Sequence, residues 1–382
     1  MNTRGTFLLL CIIGFFAILS STMSKSPTLP LFARSLGLSD IEIGFVAAAS
    51  TIVGIVTNIT AGALSDIYGR RRLLIASGIF FASAPFMYLL VNNSTQLTLV
   101  RAYHGLATAI FTPVSIAVVA DLYRESRGLK MGLYSSSTLV GRLVAPSLAG
   151  ILIAFSGFKL AYIACGVSGV IALALILRMP NMGEGQQKVE AASLRGVLQI
   201  LSDVRILVVS LVQAVTYYAM QSIETFLPLL LSEMRIEVWI IGLIPTIQMG
   251  IIAATKPAMG TLSDKAGRVR SMLLGILLSV MGIVALSMSY NIDLIIVSIV
   301  IFSIGVSAIT ASTAPLVSEL TPGERYGSAI GVMETIKDVG QASGPIISGI
   351  VSAIFGYKMA FVAVSLILIT VIAPVSMLLK RR

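Results

Sequence analysis

Nine side chains able to hold a charge or a proton stand inside runs that are otherwise apolar: Lys25, Arg101, His104, Arg142, Glu224, Lys256, Glu334, Lys337 and Asp338. A charge at the centre of a membrane helix costs about 2.5–3.5 kcal/mol on insertion scales, so each needs a reason. Glu334 and Asp338 are four residues apart, hence on one helical face, with Lys337 adjacent. A carboxylate at such depth is poorly solvated and suited to carrying a proton. The alternative is an ion pair of Lys337 with Glu334 or Asp338 that serves packing alone. Lys25 and Glu224 stand at nearly corresponding places in two similar halves of the chain. They are candidates for a pair that closes and opens a gate; the alternative is that each reaches water or pairs within its own half. Arg142 corresponds to Gln341 and is placed to face Asp338. Arg101 is read as a functional residue or as a structural hydrogen-bond donor. His104 titrates near neutrality when unperturbed, although a lone helical His often serves as a hydrogen-bonded core residue. Lys256, near an inner helix end, is expected to snorkel.

These residues are positioned by an all-α integral membrane architecture. Hydrophobic residues make up 56% of the 382 and charged residues 12%. That composition excludes an ordinary soluble domain. Twelve spans of about 20 or more apolar residues are expected: 6–33, 41–64, 73–91, 96–121, 129–155, 159–178, 204–231, 238–262, 271–289, 293–319, 328–355 and 359–379. The chain is written twice. Pro30 recurs as Pro228 and Gly44 as Gly242, both at an offset of 198. GALSDIYGRRR at 62–72 recurs as GTLSDKAGRVR at 260–270. Gly132, Gly141, Pro146 and Gly150 recur as Gly331, Gly340, Pro345 and Gly349 at an offset of 199. The expected organisation is two homologous six-helix bundles, 1–179 and 204–382, joined by residues 180–203. Leu194, Val197, Leu198 and Leu201 of that linker share a helical face, as in a short helix lying on the inner membrane surface.

Lys and Arg in the loops fix the expected orientation. Arg4, Arg70–Arg72, Arg124, Arg127, Lys130, Arg178, Lys188, Arg195, Arg205, Lys265, Arg268, Arg270, Arg325 and Lys380–Arg382 fall on one side, and only Arg34, Lys159, Arg235 and Lys358 on the other. The positive-inside rule puts both termini in the cytoplasm, in a multi-pass protein of the cell membrane. The net charge of +10 follows from this loop bias, and no soluble basic face exists for nucleic acid. The apolar N-terminal run is read as part of the fold, because Pro30 and Gly44 belong to the repeat.

Between spans 2 and 3 lie Gly62, Asp66, Gly69 and Arg70, and between spans 8 and 9 their repeats Gly260, Asp264, Gly267 and Arg268. The glycines permit a tight inner turn, and Asp66 is expected to accept from helix N-terminal amides. This pattern resembles the signature loop of the major facilitator superfamily, G-x-L-S/A-D-x-x-G-R-R/K-x. The resemblance covers twelve spans, two homologous halves and both loop copies; Val269 replaces one basic residue in the second. It implies that Asp66 and Arg70 lock the cytoplasmic side of the two halves in one conformation, with Asp121 as the acidic partner of the arginine. LTLVRAYHGLATA at 97–109 is similar to the family's L-x-x-x-R-x-x-Q-G-x-G motif, with His104 in the Gln place. Span 5 carries Gly132, Gly141, Pro146 and Gly150 in the pattern of the family's antiporter motif, with Ala145 and Ala149 in glycine places. Span 11 repeats it as Gly331, Gly340, Gly344, Pro345 and Gly349. Small residues with a proline give close helix packing and a kink.

The resemblance implies a secondary active transporter working by alternating access. The leading expectation is proton-coupled efflux of small organic or amphiphilic molecules, as in drug:proton antiporters. The alternative is proton-coupled uptake or specific export of a sugar, amino acid or organic anion. Five intramembrane cations against three carboxylates favour an anionic substrate in that case. The expected partners are a small-molecule substrate, protons and the lipid bilayer, with a monomer sufficient. No nucleophile–base constellation, phosphate loop, cofactor motif or metal-ligand spacing occurs, so an enzyme is not expected and energy comes from an ion gradient, proton or sodium. Cys11 and Cys165 fall within spans and are read as small core residues.

Overall fold

The computed structural model describes residues 3–123, 126–180, 200–321 and 325–380, without the side chains at positions 3, 4, 59, 62, 63, 66, 379 and 380. Among the described residues every regular element is helical. Ten helices are long and apolar enough to cross a membrane. One of them, Arg127–Leu177, is 51 residues long, more than twice what a crossing needs. It bends at Ser156 and at Gly157, whose φ of 74° suits only glycine, and so contains spans 5 and 6. Tyr326–Phe355 is long enough at 30 residues, but Glu334, Lys337 and Asp338 lower its apolar character; it is span 11. With these, the twelve expected spans have helices to match.

Two expected spans are broken. Span 1 is Thr3–Lys25 followed by Thr28–Ser35. Pro27 has no N–H to give the Met23 carbonyl; the Thr28 hydroxyl donates there instead, at 2.6 Å. Span 12 is Tyr357–Thr370 followed by Ile372–Lys380. Pro374 likewise cannot donate to the carbonyl of Thr370. Leu194, Val197 and Leu198 of the expected interfacial helix of the linker lie outside the described residues; its last positions, Ile200 and Leu201, are helical.

The chain forms two compact units. The first contains Met1–Leu38, Phe45–Val189 and Leu231–Thr246; the second contains Ser39–Gly44, Glu190–Leu230 and Ile247–Arg382. In the first, span 1 packs on the span 5–6 helix, and span 3 packs on that helix and on span 4. Leu10, Leu74, Phe81, Phe111, Val114 and Val118 are buried between them. In the second, span 9 packs on spans 10 and 12, and span 11 on span 12.

The repeat anchors are contact points. A Cβ built on Gly141 would lie 2.6 Å from the Phe15 carbonyl oxygen of span 1. Gly340 meets the Ala214 carbonyl of span 7 in the same way, and both residues of that contact stand 199 positions on. Gly242 of span 8 lies against the Pro146 carbonyl, and Gly150 against that of Val238. Gly44 of span 2 lies against the Pro345 carbonyl, and Gly349 against that of Asp40. These last contacts explain why a short piece of each copy belongs to the other copy's unit. Ser147 Oγ donates to Thr246 Oγ1 at 2.8 Å, and Thr246 Oγ1 to the Leu143 carbonyl at 2.9 Å. Tyr357 donates to Asp40 Oδ1 at 3.1 Å.

The motif is not uniform. Gly132 and Gly331 are exposed, and a Cβ on either meets nothing within 4 Å, so the expected close packing does not occur there. Gly141→Val is expected to destabilise the folded protein by about 1–3 kcal/mol through overpacking. Gly132→Ala is expected to hold or raise the thermal midpoint, since Ala is the better helix former. Thermal unfolding of both variants checks this; equal losses would contradict it.

Candidate functional site

The span 11 charges gather into one cluster. Lys337 Nζ pairs with Glu334 Oε2 and lies 3.2 Å from Asp338 Oδ1. Lys337 and Asp338 are mostly buried, with side chains 15% and 19% exposed, whereas Glu334 is 45% exposed. The ammonium also sits 5.1 Å from the centre of the Tyr217 ring of span 7. Asp338 is twelve residues into its helix, roughly 18 Å from the helix N-terminus. Two carboxylates thus share one ammonium in this cluster.

Span 7 presents a polar face to this cluster. Gln213, Tyr217 and Gln221 follow one another at helical spacing in an otherwise apolar helix. Gln213 Oε1 accepts from Thr313 of span 10 at 2.9 Å, and Gln221 Oε1 from Gln341 of span 11 at 3.4 Å. Glu224, half-buried, stands one turn beyond Gln221 on the same helix. A hydrogen-bonding row thus runs from Thr313 past Lys337 toward Glu224. The expectation for Lys25 and Glu224 remains one of position: both are half-buried, in different compact units. Arg142 is exposed on span 5 and Asp338 belongs to the other unit. Lys256 is exposed on span 8.

The loops before spans 3 and 9 are built alike. Gly69 and Gly267 precede spans 3 and 9 with φ of 90° and 97°, a backbone that a side chain would strain. Arg70 donates from Nε to Asp121 Oδ2 at 3.0 Å and from Nη1 to Ser65 Oγ at 2.6 Å. Arg268 donates from Nε to Glu319 Oε1 at 2.9 Å and from Nη1 to Ser263 Oγ at 3.3 Å. Each arginine thus ties its loop to the inner end of span 4 or span 10. The Asp66 side chain is outside those described; the residue lies in the last turn of Asp40–Tyr68 and so does not begin a helix. Its repeat Asp264 pairs with Arg268. A Cβ on Gly260 would meet open space.

In the first unit Arg101 and His104 are buried on span 4. His104 Nδ1 lies 3.3 Å from Ser24 Oγ of span 1. Ser24 already donates to the Ser21 carbonyl at 2.8 Å, so it accepts from the ring. Among the described residues, no three His, Cys, Asp or Glu side chains gather to hold a metal.

Sequence reasoning missed Glu319, although it stands 198 positions after Asp121 and the repeat pointed to it. It also missed Gln213, Tyr217 and Gln221, whose signal is polar residues at i, i+4 and i+8 in an apolar span.

Comparison with known proteins adds the context for this geometry. A family profile described as the Major Facilitator Superfamily matches residues 10–247 and again 209–382. The chain is 24% identical to an uncharacterized MFS-type transporter of Methanocaldococcus jannaschii, over 92% of this chain and 90% of that one. It is 25% identical to a multi-drug resistance efflux pump PmrA homolog of Lactococcus lactis, over 94% and 91%. The fold matches a crystal structure of the nucleoside transporter NupG with a TM-score of 0.85 and 14% identity, over 97% and 99%.

Proposed function

The chain belongs to the major facilitator superfamily, and from that premise we propose that this transporter exports small organic or amphiphilic molecules in exchange for protons. The observation that carries the coupling is the span 11 cluster: two carboxylates sharing one ammonium at membrane depth, next to a polar row. Burial disfavours the charged form of a carboxylate, which suits one of the two to take up a proton. Asp338, the less exposed carboxylate, takes the proton; Lys337 then keeps Glu334 as its partner. Substrate and proton compete for the cluster, so binding of one releases the other. Export is supported by the resemblance to a chain named as an efflux pump.

Movement follows the alternating-access scheme, with halves 1–179 and 204–382 rocking about the site. The contacts of Gly242 with Pro146 and of Gly44 with Pro345 form when the outer side closes. Lys25 and Glu224 pair in that state and part when the outer side opens. At the inner side Asp66, Arg70, Asp121, Arg268 and Glu319 shape the loops that meet when that side closes. Both termini face the cytoplasm of a cell membrane, and a monomer suffices.

Glu224→Gln tests the gate: proton-driven transport in the variant is expected to fall at least about tenfold. Unchanged transport would remove Glu224 from the coupling. A second reading, transport of an organic anion, is favoured by the cations Lys25, Arg101, Arg142 and Lys256, which outnumber the carboxylates available to them. Proteoliposomes with an imposed pH gradient separate the two. Cationic dyes that drive proton movement support efflux of amphiphiles. Proton movement with organic anions alone supports the second reading, and a chain inert to both contradicts the coupling.

A further inference from the structure

The two helix crossings that bury the repeat glycines are tied by different chemistry at different depths. At the first, span 2 lies on spans 11 and 12. Its opening residue, Asp40, accepts at Oδ1 from the Tyr357 hydroxyl at 3.1 Å. Tyr357 opens span 12 and is 6% exposed. Gly356 before it has a φ of 80°, a backbone suited to glycine, and so lets the helix begin at Tyr357. The Tyr357 ring centre stands 6.1 Å from that of Phe226 of span 7. A Cβ on Gly349 of span 11 would lie 3.3 Å from the tip of the Phe226 ring and 2.6 Å from the Asp40 carbonyl oxygen. Spans 7, 11 and 12 thus close together on the end of span 2.

The second crossing, span 8 on span 5, repeats the backbone contact without that bond. Gly150 takes the place of Gly349, and a Cβ on it would lie 2.8 Å from the Val238 carbonyl oxygen. The offsets of 198 and 199 put Val238 where the first crossing has Asp40, and Phe158 where it has Tyr357. Neither side chain can donate or accept a hydrogen bond. This crossing is tied instead by the hydroxyls of Ser147 and Thr246 and the Leu143 carbonyl, at 2.8 and 2.9 Å. Thr246 is eight residues into its helix, roughly 12 Å from the first residue. At the places of Ser147 and Thr246 the first crossing has Ile346 and Ala48. One crossing is therefore fastened at the helix end, and the other only below it.

We propose that the Tyr357–Asp40 hydrogen bond is a clasp on one crossing, and that the proposed outer side therefore opens first where span 8 leaves span 5. The clasp rests on the alternating-access reading. Packing does not require the bond, since Gly150 and Val238 make the equivalent backbone contact without it. Its donor is mostly buried and its acceptor is a carboxylate, the stronger kind of hydrogen bond. Parting the crossing gives both groups to water, so the net effect on the open population is about tenfold. Span 2 stays on spans 11 and 12 while the ends of spans 5 and 8, with apolar side chains at the matching places, separate.

Two isoleucines give matched probes of the crossings. Ile43 and Ile241 are 198 positions apart, next to the contact glycines Gly44 and Gly242, and each is 1% exposed. Ile43 stands three residues behind the clasp, whereas Ile241 stands five residues ahead of Thr246. The test is the rate of labelling by a polar maleimide in the purified full chain in detergent, with Cys11→Ala and Cys165→Ala as background. Ile241→Cys is expected to label about tenfold faster than Ile43→Cys. Tyr357→Phe keeps the ring beside Phe226 and removes only the donor. It is expected to speed labelling of Ile43→Cys about tenfold and to leave Ile241→Cys unchanged. Equal acceleration at both positions is general loosening of the fold and would overturn the clasp. Ile241→Cys labelling while Ile43→Cys is unmoved by Tyr357→Phe would overturn the clasp alone. Labelling at neither position in any variant would overturn both the clasp and the opening of this end. No transport is measured, so loss of proton coupling leaves these outcomes as they stand.

Discussion

Asp338→Asn is expected to abolish proton-coupled transport, by about 10²-fold or more, while the protein stays folded. The side chain keeps its size, and its contact with Lys337 at 3.2 Å becomes a hydrogen bond from the ammonium to a neutral amide oxygen. Lys337 retains Glu334 as a charged partner, so no buried charge is left alone. The variant loses one of the two carboxylates that share the ammonium, and with it the group that takes up and gives back a proton. Substrate binding without proton exchange is the expected residue of activity. Lys337→Met makes the opposite change. It removes the ammonium that Glu334 and Asp338 share, and the loss of one partner from a buried ion pair costs about 3–5 kcal/mol. Poor folding, or a carboxylate held protonated throughout, is expected there. If the cluster served packing alone, Asp338→Asn would lower the thermal midpoint and leave coupling intact. Proton movement and thermal unfolding, measured on both variants, separate these outcomes.

Gly44→Leu combined with Gly242→Leu is expected to stop transport for a different reason. Each glycine faces a proline carbonyl so closely that a Cβ cannot be added without displacement: Gly44 that of Pro345, Gly242 that of Pro146. In the proposed cycle these two contacts form and break on every turnover. Overpacking each costs about 1–3 kcal/mol, and each 1.4 kcal/mol shifts a two-state population tenfold. The pair therefore moves the equilibrium away from the closed outer side by about 10- to 10⁴-fold. Transport falls accordingly, while the rest of the structure has no cause to unfold. Cysteine accessibility at the outer ends of spans 2 and 8 reads the shift. A variant that transports normally, or that fails to fold in every preparation, would contradict this role.

Much of the fold was legible because the duplication is written in contact residues. Gly44, Gly242, Gly150 and Gly349 recur at fixed offsets since each meets a backbone that recurs with it. Asp121 as the partner of Arg70 was legible from the resemblance of the loop to the family's signature, and the structure has that pair. The break in span 1 was not, because Ser26 and Pro27 interrupt a run whose hydropathy continues across them. Nor was the polar face of span 7: Gln213, Tyr217 and Gln221 are neutral, and a hydropathy reading that watches for charge passes over them. The glycine motif misled at Gly132 and Gly331, where pattern suggested packing and the neighbours are absent.

The central claim is that span 11 exchanges a proton for substrate, and the direct measurement is proton release from purified protein on substrate addition. Weakly buffered detergent solution with a pH dye is enough, using cationic dyes and organic anions in turn. Release approaching one proton per bound molecule, absent in Asp338→Asn although that variant still binds, is the predicted result. Binding without release in the unaltered protein, or equal release from Asp338→Asn, would contradict it.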